Sequence, residues 1–169
     1  MPENNDGHYR PCAGICLFNP HGLVFVGQRM GGRNAETSEF MWQMPQGGID
    51  PDEDPEIAAR RELYEETNIR SVRTIGEIPR WLRYDLPRGA GKGGWRNRFR
   101  GQTQKWFAFR FEGNESEIDV LTPADGAHKA EFVGWKWVPL AQIPSLVVPF
   151  KRPVYEQVAA GFSQYAVAV

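Results

Sequence analysis

Three glutamates lie close together in one stretch of the sequence: Glu62, Glu65 and Glu66. On an α-helix with about 3.6 residues per turn, these side chains fall within an arc of about 100°. Carboxylate oxygens on one helical face suit hard divalent cations such as magnesium. A solvated acidic face has the same pattern, because like charges four residues apart destabilise a helix by only about 0.2–0.5 kcal/mol. The cluster alone therefore leaves both alternatives open.

The helix that carries these glutamates is predicted over residues 54–67. Asp52 or Asp54 can cap its first turn, and the acidic residues near its start interact favourably with the positive end of the helix dipole. Shortly before it, Gly47 and Gly48 have no side chains, so the backbone there can approach a ligand closely. The sequence therefore places a loop with little side-chain bulk beside the predicted acidic face.

The remaining elements are predicted from their periodicity. Two β-type runs at 12–19 and 23–29 flank a turn at 19–22, which predicts a hairpin. Further strands are predicted at 72–78, 81–86, 104–111 and 131–138. A C-terminal helix is predicted from Pro153, because apolar residues recur on one helical face. These residues are Val154, Val158, Phe162 and Tyr165. We expect an α/β fold in which helices pack on a mixed sheet.

The length and composition indicate one globular domain. The chain has 169 residues, of which 41% are hydrophobic and 24% are charged, and this excludes an intrinsically disordered protein. We expect a single domain over residues 1–169 with its core at about 9–165. No apolar run approaches the roughly 18 residues of a membrane span, and the N-terminus lacks the pattern of a signal peptide. The expectation is a cytoplasmic protein with no membrane contact and no obligate protein partner.

Several residue types that often carry chemistry are predicted to be structural here. Cys12 and Cys16 lie in a predicted strand about 13 Å apart, too far for a disulfide, so we expect buried, reduced thiols. Trp135 and Trp137 alternate along a strand and are expected in the core. The histidines lack the spacing of metal ligands and are expected at the surface. They are His8, His21 and His128.

The formal net charge of −1 hides an uneven distribution of charge along the chain. Residues 50–66 contain eight carboxylates, whereas residues 80–105 contain eight basic side chains and one acidic one. An acidic region can hold cations, and a basic region can hold a polyanion. Solvated surfaces also segregate charge, so this pattern is compatible with both functions without requiring either.

The order of these residues resembles the signature of the Nudix hydrolase superfamily. Gly47 is followed after five residues by Glu53, and after seven more by the run from Arg61 to Glu66. The match extends over 23 residues and includes every charged position. The family's glycine after the last two glutamates is Asn68 here, and asparagine is the next most tolerant residue type for a left-handed helix end. The resemblance implies an α/β/α sandwich with a mixed β-sheet.

The resemblance also implies the roles of the site residues. Glu62, Glu65 and Glu66 would coordinate magnesium or manganese, with more than one ion per site. Glu53 and Arg61 would hold the glycine loop, including Gly47 and Gly48, against the helix without touching substrate. The reaction would be attack of a metal-activated water on a phosphorus atom, with Glu65 and Glu66 as catalytic residues. Glu66 is the preferred proton acceptor.

Further stretches resemble one branch of the superfamily. This branch contains bacterial RNA pyrophosphohydrolases and the similar bacterial and plant dinucleoside tetraphosphate hydrolases. In it, the glutamate at Glu131 supplies a further catalytic carboxylate to the metal cluster, although a strand-edge charge that prevents aggregation is the alternative. The matching stretches are 9–11, 42–49, 81–84, 101–107, 131–138 and 150–155.

The same resemblance implies substrate contacts. Four basic residues are expected to meet a polyphosphate, namely Arg10, Arg29, Arg83 and Lys105. Three residues match those that hold a base in RNA-cleaving members, namely Val148, Phe150 and Lys151. Phe150 is equally well explained as a core residue that starts the last helix. The basic loop from Arg88 to Arg100 is expected to touch an RNA backbone or to be merely solvated.

Three functions follow from these residues. The first is removal of pyrophosphate from a triphosphorylated RNA 5′ end, and the second is hydrolysis of a dinucleoside polyphosphate such as diadenosine tetraphosphate. The third is a Nudix-fold binding module without activity, which the presence of all four carboxylates disfavours. The sequence does not separate the first two, because both need a polyphosphate channel beside a base pocket.

Overall fold

The computed structural model of the protein describes residues 7–29, 41–87 and 98–169. Residues 30–40, which precede the matching stretch 42–49, and residues 88–97 of the basic loop lie outside the described residues. The strands are β1 (Tyr9–Phe18), β2 (Val24–Arg29), β3 (Trp42–Gln43), β4 (Gln46–Gly48), β5 (Val72–Glu77), β6 (Leu82–Asp85), β7 (Gly101–Phe111) and β8 (Phe132–Val138). The α-helices are α1 (Pro55–Thr67), α2 (Ile143–Leu146) and α3 (Arg152–Gly161).

One mixed sheet contains all of these strands. Its main path runs β3-β2-β1-β7-β5, while β4 pairs with β1, β6 with β7 and β8 with β2. The parallel pairing of β1 with β7 extends over the whole of β1. The expected hairpin is correct for the turn after β1, but β1 and β2 pair only at Phe18 and Val24. Beyond that pair the two strands diverge, and β4 takes the free edge of β1 while β3 takes that of β2.

Helices cover both faces of the sheet, so β1 and β7 are apolar on both sides. Successive side chains of a strand point to opposite faces. Ile15 and Phe107 belong to the core on the α1 side, whereas Cys16 and Trp106 belong to the core on the α3 side. The structure therefore confirms an α/β fold with a central mixed sheet between helices.

Helix α1 begins and ends as its sequence predicts. The Asp54 side chain accepts hydrogen bonds from the backbone N–H groups of Glu56 and Ile57, at 3.1 and 3.2 Å. At the other end, Asn68 adopts the left-handed conformation, with φ 68° and ψ 6°, and its N–H donates to the Tyr64 carbonyl. The side of α1 that faces the sheet carries Ala58, Ala59 and Leu63, which are buried.

Asn68 does more than end the helix. Its Nδ2 donates to the Glu117 carbonyl at 3.1 Å, and its Oδ1 accepts from the backbone N–H of Asp125, also at 3.1 Å. Asp125 and its neighbour Ala124 both have φ near +54°, a strained conformation for a residue with a side chain. The side chain of Asn68 therefore fixes a strained connection to the end of α1.

The C-terminal region differs from the sequence prediction in one element. The short helix α2 was not predicted, because four residues that include Pro144 carry no helical periodicity. Of the predicted stripe, Val154 and Val158 are buried on α3 and Phe162 is buried at its C-cap, whereas Tyr165 lies beyond the helix in a 3₁₀ turn and is half-buried. No helix within the described residues is long and apolar enough to cross a membrane.

The residues predicted to be structural are packed as expected. Cys12 and Cys16 are fully buried and unpaired, and burial raises the pKa of Cys12 to about 12. Trp135 and Trp137 are half-buried and both pack on Phe25, with ring centroids 5.7 and 5.8 Å away. These indoles therefore serve the core on the α1 side.

The double role of Asn68 can be tested with two substitutions. We expect Asn68→Ala to be less stable than Asn68→Gly by about 1–2 kcal/mol, because alanine is strained in the left-handed conformation. Asn68→Gly keeps the conformation but loses both side-chain hydrogen bonds, each contributing about 0.5–1.5 kcal/mol, so it should also be less stable than wild type. Urea unfolding midpoints measure both differences. A glycine variant as stable as wild type would show that the two bonds contribute nothing.

Candidate active site

The glycine loop leaves room for side chains that lie directly on it. A Cβ atom on Gly47 would overlap the carboxylate of Glu62, and one on Gly48 would overlap the guanidinium of Arg10. The two glycines lie on opposite faces of β4, because Gly47 faces Ala13 and Gly48 faces Cys12 in the register with β1. Both glycines are therefore needed for space, one under an acidic group and the other under a basic group.

Arg61 joins this loop to helix α1. Its Nε and Nη2 atoms donate to the two carboxylate oxygens of Glu53, at 2.8 and 2.9 Å, and Nη2 also donates to the Gly48 carbonyl at 2.8 Å. Its Nη1 lies 3.0 Å from Glu62 and 3.1 Å from Glu65. The hydrogen bonds from Arg61 lower the pKa of Glu53. The structure thus brings together the Glu53–Arg61 pair that the sequence predicts.

Glu66 lies in a buried and acidic environment. Its side chain is almost fully buried, and its Oε2 has no hydrogen-bond partner among the described residues. Burial raises the pKa of Glu66 well above its usual value, and the nearby charges of Glu62 and Glu131 raise it further. A backbone hydrogen bond from Gln46 and the charge of Arg29 oppose this shift. Glu66 therefore lies close to the carboxylates of Glu62 and Glu131, to Arg29 of β2 and to the backbone of Gln46 in β4.

Glu62 is a second carboxylate with a strongly shifted pKa. Burial is the main cause, and it raises the pKa of Glu62 to about 7 although Arg61 opposes the shift. The charge of Glu65 raises this pKa further, whereas Arg10 lowers it. Two carboxylates with raised pKa values on one helix face indicate a site that favours added positive charge.

The donor set fits a divalent cation by its chemistry. The residues are hard oxygen donors, and one buried carboxylate oxygen lacks a partner. In residues 7–29, 41–87 and 98–169, no three carboxylate, histidine or cysteine side chains are already arranged around a single point that could hold an ion. Arg61 pairs with Glu62 and Glu65 in this conformation, and these ion pairs are one reason why the carboxylates do not converge on a single point.

The four predicted phosphate contacts divide between the two faces of the sheet. Arg10 lies beside Glu62 and Arg29 beside Glu66, so both are close to the carboxylates. Arg83 stacks on Tyr9, 4.6 Å from the ring centroid, on the α1 side of the sheet. Lys105 also faces the α1 side, and its Nζ donates to the Pro79 carbonyl at 2.8 Å and pairs with Glu77 at 3.5 Å.

The structure therefore does not place Arg83 and Lys105 beside the carboxylates that Arg10 and Arg29 adjoin. Strand alternation places Arg83, Lys105 and Arg29 on the α1 side and Arg10 on the other side, but only Arg10 and Arg29 act on the pKa values of Glu62 and Glu66. In the described part of the basic loop, Arg100 pairs with Asp85 at 3.0 Å and Arg98 lies over Phe99. Arg88, Lys92 and Arg96 lie outside the described residues.

The predicted base-binding residues form a short 3₁₀ turn before α3. Phe150 is half-buried and packs on Tyr84, with ring centroids 5.6 Å apart. Lys151 is buried, and its Nζ lies 5.5 Å from the Tyr84 ring centroid and donates to Gln43 Oε1 at 3.3 Å. Val148 is half-buried beside them. Phe150 is thus a boundary residue, with one part in the core and one part exposed.

One further side chain, that of His128, contacts the acidic helix. His128 Nε2 lies 3.5 Å from Glu65 Oε1, so this histidine is next to the carboxylates and not merely at the surface. It belongs to the connection 123–131, which ends at Glu131. The same connection is held by Tyr64, whose hydroxyl donates to Asp125 Oδ2 at 2.9 Å. Sequence spacing gave no signal, because His128 is more than sixty positions from Glu65.

Comparison with known proteins points to one family. The NUDIX domain profile matches residues 8–158. An RNA pyrophosphohydrolase of Rhodopseudomonas palustris (strain BisB18) is 54% identical over 166 residues, which cover 98% of this chain and 94% of that protein. An RNA pyrophosphohydrolase of Bradyrhizobium sp. (strain ORS 278) is 55% identical over 166 residues, covering 98% and 99%.

Solved structures show the same fold at low sequence identity. A Caenorhabditis elegans Ap4A hydrolase in a binary complex superposes with a TM-score of 0.60 at 17% identity, covering 92% of this chain and 98% of that one. The Escherichia coli dihydroneopterin triphosphate pyrophosphohydrolase gives a TM-score of 0.60 at 19% identity, covering 90% and 98%. At these identities the similarity concerns the fold.

The Glu53–Arg61 pair predicts a structural role for Glu53. We expect Glu53→Gln to lower the melting temperature at pH 7 by about 2–6 °C, because a hydrogen bond to a charged group is weakened. The lowered pKa of Glu53 stabilises the fold above the pKa of the unfolded state, so the difference from wild type should shrink as the pH falls through the folded value. Unchanged melting at pH 7 together with abolished turnover would contradict this role.

The raised pKa values of Glu62 and Glu66 predict the opposite pH dependence. Their contribution to stability is fully present below the unfolded pKa, about 4.3, and is lost as the pH rises through the folded values. In chelator, Glu66→Gln should therefore melt close to wild type at pH 5 and above it at pH 8. Adding magnesium at pH 8 should raise the melting temperature of wild type more than that of the variant. A pH-independent difference in chelator would contradict the assignment.

Proposed function

The chain belongs to the Nudix family of hydrolases, which act on phosphoanhydride bonds, and we propose that it removes pyrophosphate from the triphosphorylated 5′ end of an RNA. The observation that carries this proposal is the identity of 54–55% over nearly the whole chain to two proteins named RNA pyrophosphohydrolase. The acidic cluster beside basic residues at the divergence of β1 and β2 supports it.

Nudix hydrolases generally need divalent metal ions, and we propose magnesium or manganese, with more than one ion per site. Glu62, Glu65 and Glu66 would hold the ions from helix α1, and Glu131 would add a carboxylate from the start of β8. When bound, such ions lower the pKa of an attacking water and neutralise charge on the phosphate oxygens. The chemistry of the donor set and the partnerless oxygen of Glu66 support this assignment.

The protein residues would position the reaction and accept its proton. Arg61 keeps Glu62 and Glu65 beside the glycine loop through contacts of 3.0 and 3.1 Å. Burial makes Glu66 a stronger base than an exposed glutamate, which supports its role as the proton acceptor. Glu53 acts through Arg61 and does not touch the substrate in this proposal.

The substrate would lie along the face of the sheet that carries Arg10. Arg10 and Arg29 would neutralise the phosphate chain, since both lie beside carboxylates that bind the metal ions in this proposal. Phe150, supported by Tyr84, would stack on a base, with Val148 and Lys151 beside it. Arg83 and Lys105 are not part of this proposed site, because Arg83 stacks on Tyr9 and Lys105 pairs with Glu77.

The alternative substrate is a dinucleoside polyphosphate such as diadenosine tetraphosphate. Both substrates place a phosphate chain beside a base, and the same residues would serve either one.

The free, buried thiols of Cys12 and Cys16 support a reducing, cytoplasmic location.

A direct comparison of substrates tests the proposal. Wild type and Glu66→Gln are assayed with magnesium on a triphosphorylated short RNA and on diadenosine tetraphosphate, with products separated by chromatography. We expect pyrophosphate release from the RNA with a higher kcat/KM than cleavage of the dinucleotide, and a loss of at least about a hundredfold in the folded variant. Preference for the dinucleotide would favour the alternative, and equal turnover by wild type and variant would overturn the site.

A further inference from the structure

Three glutamines lie on the face of the sheet that carries Arg10. Gln102 and Gln104 are buried, and Gln46 is half-buried. Burying a side-chain amide is unfavourable unless its donor and acceptor groups find partners. The predicted chemistry of the site uses none of these amides, so their arrangement needs its own explanation.

Trp106 fixes the orientation of the central amide. Its Nε1 lies 3.0 Å from the amide oxygen of Gln104, and an indole nitrogen can only donate a hydrogen bond. The atom that faces Trp106 must therefore be Oε1 of Gln104 and not its nitrogen. This settles an assignment that is ambiguous for most glutamines. Gly14 makes the contact possible, because a Cβ atom there would overlap the Trp106 ring.

The orientation of Gln104 fixes the orientation of two neighbouring amides. Its Nε2 donates to Oε1 of Gln46 and to Oε1 of Gln102, each at 2.9 Å. In both Gln46 and Gln102, the side-chain oxygen therefore points towards Gln104, and the NH₂ group points away from it and can donate a hydrogen bond elsewhere. The described residues offer Nε2 of Gln46 no hydrogen-bond acceptor, and Gln46 is the member of the set that solvent reaches.

Gln46 is next to both parts of the candidate site. Its backbone hydrogen bond reaches the carboxylate of Glu66. Its side chain lies on the same face of β4 as Gly48, on which the guanidinium of Arg10 rests. A group bound at this face therefore meets a guanidinium and an amide NH₂, with the Lys151 ammonium nearby beside Cys12.

All of these groups are hydrogen-bond donors. A phosphate oxygen only accepts, whereas a nucleobase edge also needs acceptors from the protein. These donor groups therefore match a phosphate chain better than a base, because the neighbouring carboxylates would hold metal ions in the proposed function. Without Trp106 and Gln104, the Gln46 amide could rotate and present its oxygen, which would repel a phosphate.

We propose that Gln104, fixed by Trp106, is a positioning residue that holds the Gln46 side chain as a hydrogen-bond donor to a phosphate oxygen of the substrate. This inference rests on the proposed function, because it names a contact for the phosphate chain of that substrate. Gln46 would touch the phosphate, and Gln104 would act only through Gln46.

A double-mutant cycle tests this order of action. Gln46→Leu removes the donor, Gln104→Met removes the group that orients it, and both replacements approximately conserve volume. Trp106→Phe releases Gln104 and replaces Gln104→Met in the cycle if that variant does not fold. Gln142→Met changes an exposed glutamine that takes no part in the network and is the matched control. Melting temperatures establish that each variant is folded.

The binding probe is imidodiphosphate, a pyrophosphate analogue that resists hydrolysis, titrated by calorimetry with magnesium present. We expect Gln46→Leu to weaken binding about tenfold and Gln104→Met to weaken it by a similar or smaller factor. In the double variant the two factors should not multiply, because Gln104 has no effect once the Gln46 amide is gone. On triphosphorylated RNA, KM should rise while kcat changes little.

Two results would overturn the inference. One is binding by Gln46→Leu as tight as that of wild type and of Gln142→Met. The other is multiplication of the two factors, which would show that Gln104 acts on binding independently of Gln46. Failure of the proposed function is distinguishable, because wild type would then bind imidodiphosphate and show the same cycle without releasing pyrophosphate from RNA.

Discussion

The contacts of Arg61 determine the geometry of the whole site. The planar guanidinium reaches both oxygens of Glu53, the Gly48 carbonyl and the carboxylates of Glu62 and Glu65 at once, which a lysine ammonium cannot do. The glycine loop has no side chains at positions 47 and 48, so the contacts of Arg61 set the distance between the loop and helix α1. This distance leaves the space in which the Glu62 carboxylate lies against Gly47.

The divergence of β1 and β2 explains how a helix on one face of the sheet serves chemistry on the other. The two strands pair only at Phe18 and Val24, and the opening between them is bordered by β3 and β4. Glu66 lies next to this opening, because Gln46 of β4 and Arg29 of β2 both act on its carboxylate, and its charge raises the pKa of Tyr155, a core residue of the α3 side. A continuous sheet would separate the carboxylates of α1 from Arg10 and the glutamines.

Local signals in the sequence were sufficient for the elements that carry the site. The start of α1 was predicted at Asp52 or Asp54 and its end at Asn68, and Asp54 and Asn68 are the caps; the helical period also predicted that Glu62 lies near Glu65 and Glu66. What the sequence did not supply is long-range pairing. The single-pair contact of β1 with β2 depends on competition from β4 for the same edge of β1, and the approach of His128 to Glu65 depends on a strained connection. Lys105 and Gln104 are neighbours on one strand, so their side chains must point to opposite faces of the sheet. The family motif contains no information about this alternation.

The pairing of β1 with β7 has a consequence for how the chain folds. Every residue pair in it, from Tyr9 with Gly101 to Phe18 with Arg110, joins positions 92 residues apart. Such non-local contacts require closure of a long loop before they stabilise anything, so they slow folding. During synthesis, α1 and its carboxylates leave the ribosome before Phe107 and Phe109, which complete their packing surface. We therefore expect the nascent chain to expose apolar β1 residues until β7 emerges, a period in which a chaperone would protect it from aggregation.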